Sequence, residues 1–225
     1  MEKEVSEVSS VLKITGIVFV YLVLFLNAYI MHDSLIALVS AFCGITYTLL
    51  AGKGNPLCYF IGLCGSAFYI YLAFINNFWG NCLLYALYFL PMQIIGFFRW
   101  NKNLKTDKYE IIKTSVTRKE NISLLLITSL ISVVMIFVFA KTGDSNPVAD
   151  SLTAVFSILG MYYTVRRAIE QWFIWAGVNF VSLIMWVIIA IQGEKVYSTV
   201  LMWFVYFVLA LYFYASWKKE LSQES

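Results

Sequence analysis

Charge is scarce in this chain. Asp, Glu, Lys and Arg make up only 13% of its 225 residues, about half the share in an average soluble domain. Hydrophobic residues reach 61%. A soluble fold of this length cannot hide so much apolar surface, which leaves the class of polytopic membrane protein. Histidine is scarcer still: His32 stands alone in a short link beside Asp33 and reads as solvated. The four cysteines, Cys43, Cys58, Cys64 and Cys82, lie inside apolar runs without metal-ligand spacing. They read as buried thiols acting as small hydrophobes, and no metal or cofactor is expected. No Ser–His or Cys–His pair and no paired aspartates occur within the spans, so the chain is not expected to be an enzyme. No Asp, Glu, Lys, Arg or His falls in the middle of an apolar run. That absence excludes a proton relay or a Schiff-base lysine, and it denies a phosphate its usual Arg or Lys partner.

The long apolar runs are plentiful. Eight can be counted: 12–31, 35–51, 56–76, 78–98, 122–140, 148–165, 172–191 and 197–216. Each is about 17–21 residues, the length of a membrane helix. The first lacks a small-residue cleavage site and reads as a retained helix. Lys and Arg set the orientation. With eight spans, Lys3, Lys13, Lys53, Arg166, Arg167, Lys218, Lys219 and seven residues of the 99–121 link share one side, leaving Lys141 and Lys195 on the other. Positive charge stays inside, so both termini are expected in the cytoplasm. The same side holds the sequon Asn121-Ile-Ser123, which is therefore discounted as a glycosylation site. With a net charge of +3 spread over short links rather than one face, no nucleic-acid partner is expected.

An internal repeat is visible. Residues 34–100 and 151–217 both run from Ser-Leu-x-Ala to a terminal Trp, and Gly44-Ile-Thr-Tyr-Thr48 echoes Gly160-Met-Tyr-Tyr-Thr164. Each unit holds three spans, and segment 122–140 joins them. An odd joining helix after an odd unit restores the orientation, giving parallel repeats with a site expected between them. The expected organisation is an all-α membrane protein with a 3+1+3 core plus one extra N-terminal helix. Its parts are 1–33 (tail and extra helix), 34–100 (first unit), 101–147 (cytoplasmic loop and linking helix), 148–217 (second unit) and 218–225 (tail).

Polar side chains inside the runs mark the candidate site. Trp172, Trp175, Asn179, Ser182 and Trp186 fall within a helical stripe roughly 80° wide. An amide in mid-span is a functional hypothesis by default. In 78–98, Trp79, Cys82, Ala86, Gln93 and Trp100 share a stripe, with Asn81, Tyr85 and Tyr88 roughly opposite. Pro91 removes a backbone donor and predicts a kink just before Gln93. Tyr47, Thr48, Tyr163 and Thr164 can add hydroxyls from the first span of each unit. Packing is the competing reading for those four, and interhelical glue is the competing reading for Asn81 and Gln93. Amides pair with amides or sugar-like hydroxyls, and indoles stack on flat rings and attract cations. The expected solute is a small polar aromatic molecule, neutral or delocalised-cationic. Without a coupling carboxylate, uncoupled transport is the simplest mechanism. A receptor or scaffold is disfavoured because only 99–121 is long enough to dock a partner.

Three motifs resemble the PnuC family of bacterial vitamin transporters: Trp79-Gly-Asn81; Tyr88-x-x-Pro91-Met-Gln93-x-x-Gly96; and Arg167-x-x-Glu170-Gln171-Trp172-x-x-Trp175-x-x-x-Asn179 with Trp186. The resemblance covers about 34–217. It implies a fold related to the SWEET sugar transporters, a homotrimer in the bacterial inner membrane, and uptake of nicotinamide riboside between the two units, trapped by a cytosolic kinase. It implies a substrate site of Trp79, Asn81, Tyr88, Gln93, Trp172, Trp175, Asn179 and Trp186. Members similar to this chain take thiamine, riboflavin or deoxynucleosides, and these motifs do not separate them.

Overall fold

The structure, a computed structural model, describes residues 2–31, 35–75, 83–106, 109–142, 146–193 and 197–224. Among them the chain forms eight helices: α1 (Glu2–Met31), α2 (Leu35–Gly52), α3 (Cys58–Ile75), α4 (Leu90–Asn101), α5 (Arg118–Lys141), α6 (Pro147–Val165), α7 (Glu170–Ile191) and α8 (Tyr197–Glu224). A π turn, Tyr85–Phe89, leads into α4. By length and composition α5, α6, α7 and the Thr199–Gln223 part of α8 suffice to cross a membrane, and Thr15–Ile30, Leu38–Gly52 and Cys58–Tyr71 are shorter apolar helices. Helix α1 begins ten residues before its apolar run, and α8 ends eight residues after its own. Neither extension contains glycine or proline, so nothing in them breaks the helix at the apolar boundary.

The helix starts follow local rules. The Thr117 hydroxyl accepts the Glu120 N–H at 3.3 Å, capping α5. Helix α6 opens on Pro147, whose missing donor costs nothing there, with Asp150 in its first turn. Pro91 acts as the sequence predicts. It has no N–H to close an α turn, and the preceding turn widens so that the Leu90 N–H bonds the Tyr85 carbonyl.

Helices α2, α3 and α4 pack in succession, as do α6, α7 and α8. Between these groups, α4 lies on α6 and α2 on α8, while α5 lies on α6 and α1 lies against α2 and α8. One apolar core, with Tyr59, Phe89, Trp100, Met161, Trp172, Phe213 and Trp217, spans both groups.

The two groups finish alike at the end carrying Lys53, Arg166 and Arg167. Gly54 (φ +70°) and Arg167 (φ +62°) both turn left-handed after the first helix of their group. Glycine suits that conformation; arginine holds it under strain. Their N–H groups bond Ala51 at 2.9 Å and Thr164 at 3.0 Å. The link between α4 and α5 then crosses this basic end. Ile111 donates to the Gly54 carbonyl at 2.9 Å and Thr114 to the Arg167 carbonyl at 3.0 Å. Lys113, buried, pairs with Glu110 at 2.7 Å and with Glu220. Its ammonium sits 5.2 Å from the Trp217 ring centroid. Lys105 reaches Glu220 at 2.5 Å, and Arg166 pairs with Glu120. The link, the stretch long enough to dock a partner, thus serves as a strap across the bundle.

Candidate functional site

The site is built where the two groups meet. On α7, Trp172, Asn179 and Ser182 are buried, as the stripe predicts, and Trp175 is half-buried. Trp172 packs against Phe213 (ring centroids 5.1 Å) and edge-on to Trp217 (5.6 Å, 80°). Trp175 donates its indole N–H to the Thr164 hydroxyl at 3.0 Å, and its ring covers Gly160. Thr164 itself donates back to the Gly160 carbonyl at 2.8 Å. This Gly–Thr pair of the repeated motif therefore seats an indole. In the other group Thr48 donates to Gly44 at 3.0 Å, and the Tyr206 hydroxyl crowds the glycine.

On α4, Gln93 is buried and its amide lies against Gly62 of α3, where any side chain would collide with it. Gly96 receives the Tyr59 ring in the same way. Tyr88, half-buried, donates its hydroxyl to the Ile158 carbonyl at 2.8 Å and so crosses from one group to the other. The sequence places Tyr85 and Tyr88 on a stripe opposite Gln93. In the structure both pack on the core that holds Phe89 and Trp100. Both belong to the π turn, where the regular spacing of an α-helix does not hold.

Other expectations divide. Trp79, Asn81, Cys82, His32 and Asp33 lie outside the described residues. Trp186 is half-buried, and eleven residues beyond Trp175 it is about 16 Å further along the axis. It stands apart from the Trp172–Trp175 cluster. Tyr163 turns away from the seam and donates to Asn121 of α5 at 2.8 Å. Cys58 is buried as expected, but Cys64 is exposed and Cys43 only half-buried. Those two thiols lie on helix faces with fewer neighbours than the pattern of apolar runs suggests. No group of His, Cys, Asp or Glu among the described residues is arranged to hold a metal.

The structure adds Tyr59 and Trp217, which the sequence does not single out as site residues, to those it does. Tyr59 is fully buried and stands edge-on to Trp100 (5.0 Å, 85°), mirroring Trp172 against Trp217. Trp100 donates its indole N–H to the Thr164 carbonyl at 2.9 Å, and Trp217 donates to Gly52 at 2.7 Å. Each bond runs from the third helix of one group to the end of the first helix of the other. Four buried polar atoms lack a hydrogen-bond partner near this seam: the hydroxyls of Tyr47 and Tyr59, the Gln93 side-chain carbonyl and the Trp172 indole N–H. Native structures seldom leave such atoms unpaired, and each asks for a ligand or a water. Two cavities lie elsewhere. One of about 270 Å³ sits between α1, α2 and α8, and one of about 340 Å³ lies along α7 beside the start of α6. Neither is lined by Gln93, Trp172, Trp175 or Asn179.

Several helices long and apolar enough to cross a membrane, packed around buried polar side chains, fit the class of multi-pass membrane protein. Residues 34–219 match the family described as Nicotinamide mononucleotide transporter, and the chain belongs to that family. It is 31% identical over 209 residues to the nicotinamide riboside transporter PnuC of Haemophilus influenzae, covering 89% of this chain and 88% of the relative. The PnuC of Neisseria mucosa is 28% identical over 198 residues, covering 86% and 75%. A crystal structure of the vitamin B3 transporter PnuC superposes with a TM-score of 0.76 at 26% identity over 92% of each chain.

Proposed function

We propose that this chain carries nicotinamide riboside across the bacterial inner membrane. The observation that carries the reading is the uncharged seam, where Gln93, Trp172, Trp175 and Asn179 come from two helix groups in a chain whose relatives are named as carriers of that riboside. Indoles suit a pyridinium ring, and side-chain amides suit its carboxamide. The family's description names the mononucleotide. A phosphate needs a fork of Arg or Lys donors; α2, α3, α6 and α7 contain no Lys or Arg within their bounds, and α4 carries only Arg99, in its last turn at the basic end rather than beside Gln93. The buried cation Lys113 is already matched by two carboxylates. The riboside is therefore the better fit.

The seam has no coupling carboxylate, which favours facilitated diffusion by alternating access, with cytosolic phosphorylation trapping the product. The basic end is cytoplasmic in this reading, as the Lys and Arg distribution favours. Trp79, Asn81, Tyr88 and Trp186 complete the proposed substrate set. Residues 34–100 and 148–217 act as two parallel units joined by α5, with α1 outside and the protein assembled as a homotrimer. The reciprocal Trp100 and Trp217 bonds and the matched left-handed corners at Gly54 and Arg167 support the repeat. A binding titration of the purified protein with nicotinamide riboside, thiamine, riboflavin and a deoxynucleoside tests the substrate. Saturable binding of the riboside alone is expected, and preference for another member of the panel overturns the assignment.

A further inference from the structure

We infer that Tyr59, together with Tyr47, forms the sugar-binding end of the substrate site and so fixes which way round the solute lies. This deepens the proposed function and rests on it. The Tyr59 side chain is wholly buried, yet its hydroxyl has no partner, and the same holds for the hydroxyl atom of Tyr47. Their rings face one another edge-on at 6.3 Å, and the Tyr59 ring is spent against Trp100. Aromatic stacking with a ligand is therefore not what these residues have left to offer; their hydroxyls are. A phenol both donates and accepts, as does each hydroxyl of a sugar. The Gln93 carbonyl, also unpartnered, sits on the same wall: Gln93 lies against Gly62, and Tyr59 lies against Gly96 on the same face of α4. An amide oxygen accepts only, which matches the N–H of a carboxamide or a further hydroxyl.

Position along the bundle gives the direction. Tyr59 lies in the first turn of α3, next to the basic end, level with Trp100 near the end of α4. Asn179 lies seven residues beyond Trp172, about 10 Å deeper. A solute held by both ends has its sugar toward the basic end, its flat ring beside Trp175 and its carboxamide toward Asn179. Such a solute is a ribosylated aromatic base rather than the free base.

The test compares nicotinamide riboside with its 2′,3′-dideoxy analogue, by calorimetric titration and by competition, on wild type, Tyr59→Phe and Tyr47→Phe. The phenylalanines keep the rings stacked and remove only the hydroxyls. Wild type should prefer the riboside, and each substitution should shrink that preference about fivefold to tenfold, the worth of one hydrogen bond. Reading a ratio removes any general loss of folded protein. If wild type binds both solutes equally, or if the ratio is unchanged in both variants, the inference is overturned while the riboside assignment stands. If wild type binds no riboside, the proposed function fails and the inference with it.

Discussion

At the scale of the residue, Gln93 shows how function and stability pull apart. Its side-chain carbonyl is buried without a partner, which costs about 1–3 kcal/mol in a fold that gains nothing from it. Gln93→Leu should leave thermal unfolding of the detergent-solubilised protein unchanged or raise it, while riboside binding falls at least tenfold. A variant that both unfolds earlier and binds normally would make Gln93 a structural residue. Asn179→Leu should likewise abolish binding with little loss of folding, because leucine is at home in a membrane helix. Surviving binding would move the site away from Asn179. Gly62 offers a subtler check. A methyl there would lie 2.5–2.7 Å from the Gln93 amide, and the flexible end of Gln93 can yield. Gly62→Ala should therefore fold and bind the riboside more weakly, by calorimetric titration. The α7 part of this site was legible in the sequence because α7 is an uninterrupted α-helix, where a 100° wheel holds from Trp172 to Ser182. Tyr59 was not legible: one tyrosine in an apolar, aromatic-rich helix carries no spacing signal, and its isolation from partners exists only in three dimensions.

At the scale of the element, the π turn and the left-handed corners decide what the pattern could reveal. Pro91 announced a disturbance, but not that it would be a widened turn that brings Tyr85 and Tyr88 onto the core. In the sequence the proposed repeat rests on its end points, Ser34 with Ser151 and Trp100 with Trp217. An ungapped alignment of those units sets Tyr59 against Ala176. The structure matches Tyr59 with Trp172 instead, since each follows its left-handed residue by five positions and stands edge-on to the terminal Trp of its group. The register differs by one helical turn, which dilutes the identities and hid the correspondence. The corners also make a prediction. Gly54 holds φ +70°, and an added Cβ would come within 3.0 Å of Ile111. Gly54→Ala should lower stability by about 1–2 kcal/mol, read as a lower unfolding temperature. An unchanged temperature would show that the corner relaxes and that the strap is not held there.

At the scale of the whole molecule, the strap explains how two helix groups joined by one linking helix stay registered. Ile111 and Thr114 bond the two corners, and Lys113 reaches Glu220 in α8. The sequence showed this link only as a charged interruption. Its fold rests on backbone bonds and on a lysine buried between carboxylates, which a composition reading takes for solvated charge. Most of the helices were legible, because long apolar runs leave few alternatives; the run 78–98 differs, its described part being a π turn and the twelve-residue α4 that ends at Asn101. What we propose the molecule does as a whole rests on a seam whose mid-span polar groups, Gln93 and Asn179, are uncharged amides beside aromatic rings. Purified protein in sealed liposomes, with labelled nicotinamide riboside outside and no ion gradient, tests that claim most directly. The account predicts saturable uptake that stops when the inside and outside concentrations are equal and that an imposed sodium or proton gradient does not change. Uptake absent from folded protein, or accumulation beyond equality that an ionophore abolishes, would contradict it.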